Sequence, residues 1–277
     1  ALGLGNDASK PNLLYVSSVQ RSIPNVLIYT YPDARYKTKV GKAALTFPRG
    51  ECADRKGYIF VTNGAPGASN SNVLEYAHGG TTTIERFNVD GSAEQCAVDA
   101  RTAKLAVISS QLAIFRPGHR TPTYYGFPKG FERIACDYDN KGNLFVDGVT
   151  RQNPSRAALI ELPAGDSAFH SIKLPPISVA AARGGVRWDG KNLAVSNGAS
   201  TIYLLKISGA EAKSVGLAQF YGSAGLASFW ISGGDIVGAN SLSPTVMIWA
   251  YPAGGQPFAV LHGIGRGDGV AVSVAPK

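Results

Sequence analysis

A short motif returns about every 44 residues along this chain, and no other feature restricts its folding so much. Each copy reads as an apolar strand ending in Val, a loop rich in Asn, Gly and Ser, a second apolar strand and a Pro/Gly turn. The strands concerned are Leu13–Val16, Tyr58–Val61, Leu105–Val107, Asn143–Val146, Asn192–Val195 and Asp235–Val237, and Val16 to Val237 spans 221 residues in five steps. A period of about 40–50 residues built from short strands is the signature of a β-propeller, one four-stranded blade per repeat. Six copies predict an all-β fold of six antiparallel four-stranded blades.

Length alone, at 277 residues, would suggest two domains. The repeat overrides that prior, because the blades occupy approximately 269–274 plus 13–46, 47–89, 90–127, 128–176, 177–221 and 222–265, a single propeller domain. The first repeat starts at its second strand, Leu13–Val16, and the missing strand appears at the far end as Gly269–Val274. The chain is therefore expected to close its ring with the C-terminal strand as the innermost strand of blade one, which removes the free sheet edges of an open array.

Composition narrows the functional classes. No apolar run approaches the roughly 18 residues of a membrane helix. The net charge of +8 would suit nucleic acid, but basic residues are not interleaved with aromatics. Instead Lys56, Lys104, Lys141 and Lys191 fall in the corresponding tight turn of successive repeats, the pattern of a solvated turn, and no nucleic-acid partner is expected. The opening Ala1-Leu2-Gly3-Leu4-Gly5 and the lone Met247 lead to the expectation of a secreted or periplasmic bacterial protein.

Cys52, Cys96 and Cys136 occupy equivalent positions in the innermost strands of blades two, three and four. They are expected to pack as small apolar residues. A disulfide between two of them and a soft-metal site are the alternatives.

With strands named A to D from the axis outward, the A–B and C–D turns are expected to be short, and the B–C and D–A loops long and varied. The long loops then crowd one face around one mouth of the channel, where function resides. That face collects Arg49, Arg133, Arg183 and Arg266 before the A strands, with Arg21, Arg151 and Arg156 in B–C loops. Guanidinium groups there either grip a carboxylate, phosphate or acidic sugar with paired hydrogen bonds, or brace the loops against Glu51, Glu94, Glu132 and Asp268. Asn63, Asn197 and Asn240 end B strands and would either face a ligand or hydrogen-bond loop backbone. Of four histidines only His262 precedes a loop of this face, which makes it the one candidate general base, with Glu51 and Asp268 as its candidate partners.

The theme Asp-x-x-Gly-x-Leu/Ile-x-Val at Asp54–Val61 and Asp139–Val146, with a shorter variant at Asp189–Val195, resembles the NHL-repeat and gluconolactonase type of propeller. Virginiamycin B lyase is a more distant likeness. The resemblance implies a divalent cation such as calcium at the channel mouth, held by inner-strand Glu, Asn and Asp and used to polarise a lactone. The matching positions read Glu51, Gln95, Ala135, Gly185, Ser228 and Gly269, of which Glu51 alone fits, with Asp268 one residue out of register. Two functions follow: a non-catalytic propeller that binds an anionic ligand, glycan or protein at this mouth, or a lactone hydrolase or lyase using Glu51, Asp268 and His262.

Overall fold

The computed structural model describes residues 10–18, 24–40, 45–180, 184–223, 225–240, 243–264 and 267–276. Blade one contains β1 (Asn12–Ser18), β2 (Asn25–Tyr31) and β3 (Tyr36–Val40); blade two is β4 (Pro48–Ala53), β5 (Ile59–Asn63), β6 (Asn70–Tyr76) and β7 (Glu85–Asp90). Blade three is β8 (Gln95–Val98), β9 (Leu105–Ile108), β10 (Leu112–Phe115) and β11 (Thr123–Tyr125). Blade four is β12 (Phe131–Tyr138), β13 (Leu144–Thr150), β14 (Asn153–Leu162) and β15 (His170–Ile172). Blade five is β16 (Gly185–Trp188), β17 (Leu193–Ser196), β18 (Thr201–Ser208) and β19 (Glu211–Gln219). Blade six is β20 (Leu226–Ser232), β21 (Asp235–Asn240), β22 (Thr245–Ala250) and β23 (Ala259–His262), and the last strand is β24 (Gly267–Ser273). All six sheets have four strands in antiparallel sequence, and β24 heads the sheet of blade one in the order β24-β1-β2-β3. The register Leu13↔Ser273 to Val16↔Val270 realises the closure that the sequence predicts.

Alternation along each strand divides its side chains between two cores. Leu14 and Val16 pack against blade six, whereas Leu13 and Tyr15 pack against blade two. Six such inter-blade clusters run round the ring. This is why inner strands read as nearly continuous apolar runs: both faces are buried. The closure is tied from outside the ladder as well. His78, in the C–D turn of blade two, meets Ser273 Oγ at 2.7 Å and the Pro11 carbonyl at 3.0 Å, and Gly79 N donates to the Tyr15 hydroxyl at 2.7 Å.

Two expectations need correction. Cys52 and Cys96 form a disulfide between blades two and three, with Cα atoms 5.6 Å apart. The inner strands lie side by side around the axis, so equivalent positions on neighbouring blades come within disulfide reach. Cys136 alone packs as a small buried residue, its thiol pushed up by burial. Loop length also divides less cleanly than expected. The B–C connection of blade four is a two-residue turn, Arg151-Gln152, because β13 continues to Thr150 and β14 begins at Asn153. Several C–D connections are long, such as 116–122 and 251–258.

Candidate functional site

One buried residue outside the sequence-based candidates reaches three other blades. Arg187, on innermost strand β16, is buried among the inner strands of other blades. Its Nε donates to the Phe229 carbonyl at 3.1 Å, and Nη2 makes a long contact of 3.5 Å to the Glu51 carbonyl across the ring. Nη1 lies 3.8 Å from the Asp137 carboxylate, and the guanidinium sits 4.3 Å from the centre of the Trp230 ring. Trp230 in turn packs against three successive inter-blade cores, six–one, one–two and two–three. Together these two side chains form a cation–π stack tied to five of the six blades through Arg187's polar contacts and Trp230's packing. Asp137 also accepts the amides of Trp188 at 2.8 Å and Tyr138 at 3.0 Å; burial raises its pKa while Arg187 and these amides oppose the rise. The signal was present as a charged residue in an innermost strand whose two faces are both buried.

The three candidate catalytic residues are not assembled together. Glu51 is fully buried in β4, where Ser17 Oγ donates to Oε1. Its Oε2 lies against Gly269 so closely that a Cβ there would collide, and it has no hydrogen-bond partner. The carboxyl is thus lodged between blades one and two. Burial pushes its pKa well above the ordinary value and nearby Asp268 adds to the rise, with Ser17 and Arg187 opposing. Asp268 and Glu51 are therefore neighbours. His262 is not: it ends β23, the outermost strand of blade six, exposed and paired opposite Thr245. Three strand spacings, about 14 Å, separate such a strand from the innermost one of its blade.

A cation centre of the gluconolactonase kind does not fit these residues. Glu51 faces blade one, Ala135 and Gly185 offer no side-chain oxygen, and among the described residues no group of three or more His, Cys, Asp or Glu is placed to hold a metal.

The rim residues divide by role. Arg49 pairs with Glu94 at 3.4 Å, and Arg151 pairs with Glu132 at 3.2 Å in the open. Arg133 lies 5.8 Å above the Phe127 ring, with Nε buried and unpartnered. Asn63 Oδ1 accepts the amides of Thr46 and Phe47, both at 2.8 Å, and Asn197 Oδ1 accepts those of Ala199 and Thr201 at 3.0 and 3.1 Å. Both asparagines thus hold loop backbone. Asn240 is buried at the end of β21. Arg21, Arg183 and Arg266 lie outside the described residues.

A cavity of about 550 Å³ opens on the long-loop face at the outer corner of blade four. Its origin is local. The first half of β14 pairs with the segment after β15, through Ala157 N to the Ile177 carbonyl at 3.0 Å and Val179 N to the Ser155 carbonyl at 2.9 Å. The second half pairs with β15 itself. Between the two lies Leu174-Pro175-Pro176, whose prolines lack the N–H a ladder needs. The walls are apolar, with Phe131, Leu159, Ile172 and Ile177 among them, and Lys129 and Arg156 also line the cavity. Neither cation makes an ion pair among the described residues.

No family model matches this chain, and no curated protein matches it. Solved structures do. A chain from the crystal structure of a nidogen/laminin complex superposes with a TM-score of 0.70 at 12% identity, over 96% of this chain and 99% of that one. A protein of unknown function from Bacteroides caccae superposes at 0.66 with 11% identity, over 95% and 99%. The likeness is one of fold. It establishes the six-bladed propeller, and the resemblance to NHL-repeat and gluconolactonase proteins rests on repeat style.

Proposed function

We propose that this propeller is an exported binding module that takes an anionic ligand on its long-loop face, as a small molecule, a glycan or an acidic protein surface. The observation that carries the reading is the blade-four cavity, apolar within and bordered by two cations that make no ion pair among the described residues. Its volume lies within the range of about 300–1,000 Å³ typical of ligand sites. Lys129 and Arg156 beside these apolar walls favour a ligand with an apolar body and an anionic head. Arg133 on Phe127, which stacks on Phe169 at 5.5 Å, belongs to the same blade and adds a third cation.

Other observations agree. Glu51 is committed to the seam between blades, and His262 to the outer rim, which supports binding over hydrolysis. A disulfide is the cross-link of oxidising compartments, and Cys52–Cys96 supports export. A chain of the same fold belongs to a nidogen/laminin complex, so the scaffold is compatible with a protein partner.

Calorimetric titration with octanoate and with a benzoate series tests the reading. Saturable binding that falls at least tenfold in the Lys129→Ala/Arg156→Ala double variant is the expected result. Equal affinity in the double variant, or hydrolysis of a lactone panel that is lost on Glu51→Gln, would sink it.

A further inference from the structure

The face opposite the long loops, formed by the A–B and C–D turns, carries a groove between blades four and five. Its volume of about 400 Å³ lies within the range of about 300–1,000 Å³ of small-molecule sites. Phe145 and Leu159 of blade four and Val186 and Leu205 of blade five fill the core of this seam, and Glu161, paired opposite Phe145, ends its apolar surface. Beyond that point the A–B turns of the two blades form the walls. Both turns are held from within: Asp139 Oδ1 accepts the amides of Lys141 at 2.8 Å and Asn143 at 2.9 Å, and Asp189 Oδ1 accepts those of Lys191 at 2.8 Å and Asn192 at 2.6 Å. The walls are thus preorganised, which lowers the cost of ordering them around a ligand.

The lining sets an aromatic surface beside uncommitted groups of both signs. Trp188, the last residue of β16, is partly exposed while its Nε1 is buried, so the ring offers the groove carbon and not its polar edge. Glu161 is partly buried, and its carboxyl makes neither a hydrogen bond nor an ion pair among the described residues. Lys191 and Lys206 are exposed and make no ion pair among those residues, and Asn140 is exposed beside them. The charges that act on Glu161 are mixed. Burial raises its pKa and Asp139 and Asp166 add to the rise, while His170 and Lys141 oppose it.

We propose that this groove binds a neutral sugar ring of a glycan, the ring packed on Trp188 and its hydroxyls shared between Glu161, Asn140, Lys191 and Lys206. An anion would meet Glu161 and a cation would meet the lysines, so neither kind of ion suits the whole lining. A carboxylate only accepts hydrogen bonds and an ammonium only donates them, whereas each sugar hydroxyl does both. A pyranose also presents a face of C–H groups, which matches the exposed carbon of the indole. The groove shares no residue with the blade-four cavity of the long-loop face, so either proposal can fail without the other.

The test is titration of the full chain with glucose, galactose, mannose, N-acetylglucosamine, lactose and cellobiose, by calorimetry and by ligand-observed NMR. Wild type should bind at least one of them saturably, with an affinity that added salt leaves unchanged, because the ligand is uncharged. Glu161 has no polar partner to abandon, so Glu161→Ala should melt near the wild-type temperature. Its affinity should fall about tenfold, the worth of a hydrogen bond to a charged group. Trp188→Leu should abolish binding. A preference for a disaccharide identifies an extended glycan as the source, and equal affinity identifies a single terminal sugar; both support the site. No saturable binding of any sugar overturns it. So does binding that survives Glu161→Ala or Trp188→Leu, tighter binding of acetate or methylammonium than of every sugar, or loss of binding in Lys129→Ala/Arg156→Ala instead.

Discussion

Arg187 shows how one side chain holds an axis that six strands only surround. Its contacts reach blades two, four and six from blade five, so its loss affects more than one seam. Arg187→Met keeps the bulk but strands the buried Asp137 carboxylate, and breaking a buried pair in this way costs about 3–5 kcal/mol. Denaturant unfolding should show that loss, and Arg187→Met/Asp137→Asn should recover part of it. Glu51 gives a second prediction. Because burial raises its pKa and favours the neutral carboxyl, Glu51→Gln should change stability little. Glu51→Ala should cost about 2–3 kcal/mol, through the cavity and the abandoned Ser17 hydroxyl. Asp147 supplies the pH dependence: burial raises its pKa to about 7, against the hydrogen bond from Ala135 N. A folded pKa above the unfolded one of about 3.9 means stability that is complete below pH 4 and lost as pH rises towards 7. Asp147→Asn should therefore melt above wild type at pH 8, with the advantage disappearing at pH 4. A difference independent of pH would contradict the assignment.

At the scale of elements, two seams are reinforced covalently or by side chains. The Cys52–Cys96 bond closes a loop of 44 residues in sequence separation, which the chain-entropy model values at about 4 kcal/mol. Cys52→Ala/Cys96→Ala should lower stability by that order, and reduction of wild type should mimic it. The β24–β1 seam depends on His78, whose pKa burial lowers, with Lys10 and Lys37 adding and the Pro11 carbonyl opposing. A depressed histidine pKa gives stability that is complete above about pH 6.5 and lost as pH falls through the folded value. Hydrogen exchange of β24 amides should thus quicken below pH 6.5 in wild type and show no such step in His78→Gln. The strands themselves were legible in the sequence because each needs only an apolar run and a turn, repeated at constant spacing. The loops were not. Whether Gly148–Arg156 is a loop or a hairpin depends on pairing with Ile177–Val179, and no local pattern encodes that partner.

For the whole molecule, the ring was readable because closure follows from one count: five complete repeats and a sixth missing its first strand. The site was readable only in part. Arg49, Asn63 and Asn197 stand on the predicted face but serve it as braces, and His262 stands at its outer edge, because sequence position fixes the strand a residue occupies and not the direction its side chain takes. Arg187, the groove between blades four and five and the blade-four cavity arise from contacts between repeats, so they were invisible within any single repeat. On the proposed reading the ligand is taken in the blade-four cavity and not at the axis, where Arg187 stacks on Trp230. A crystal structure of the chain soaked with an aryl carboxylate tests it most directly. The predicted result is ligand density in the blade-four cavity, its carboxylate between Lys129 and Arg156. Density over the axis, bridging Glu51 and Asp268 with Arg187 displaced, would contradict it.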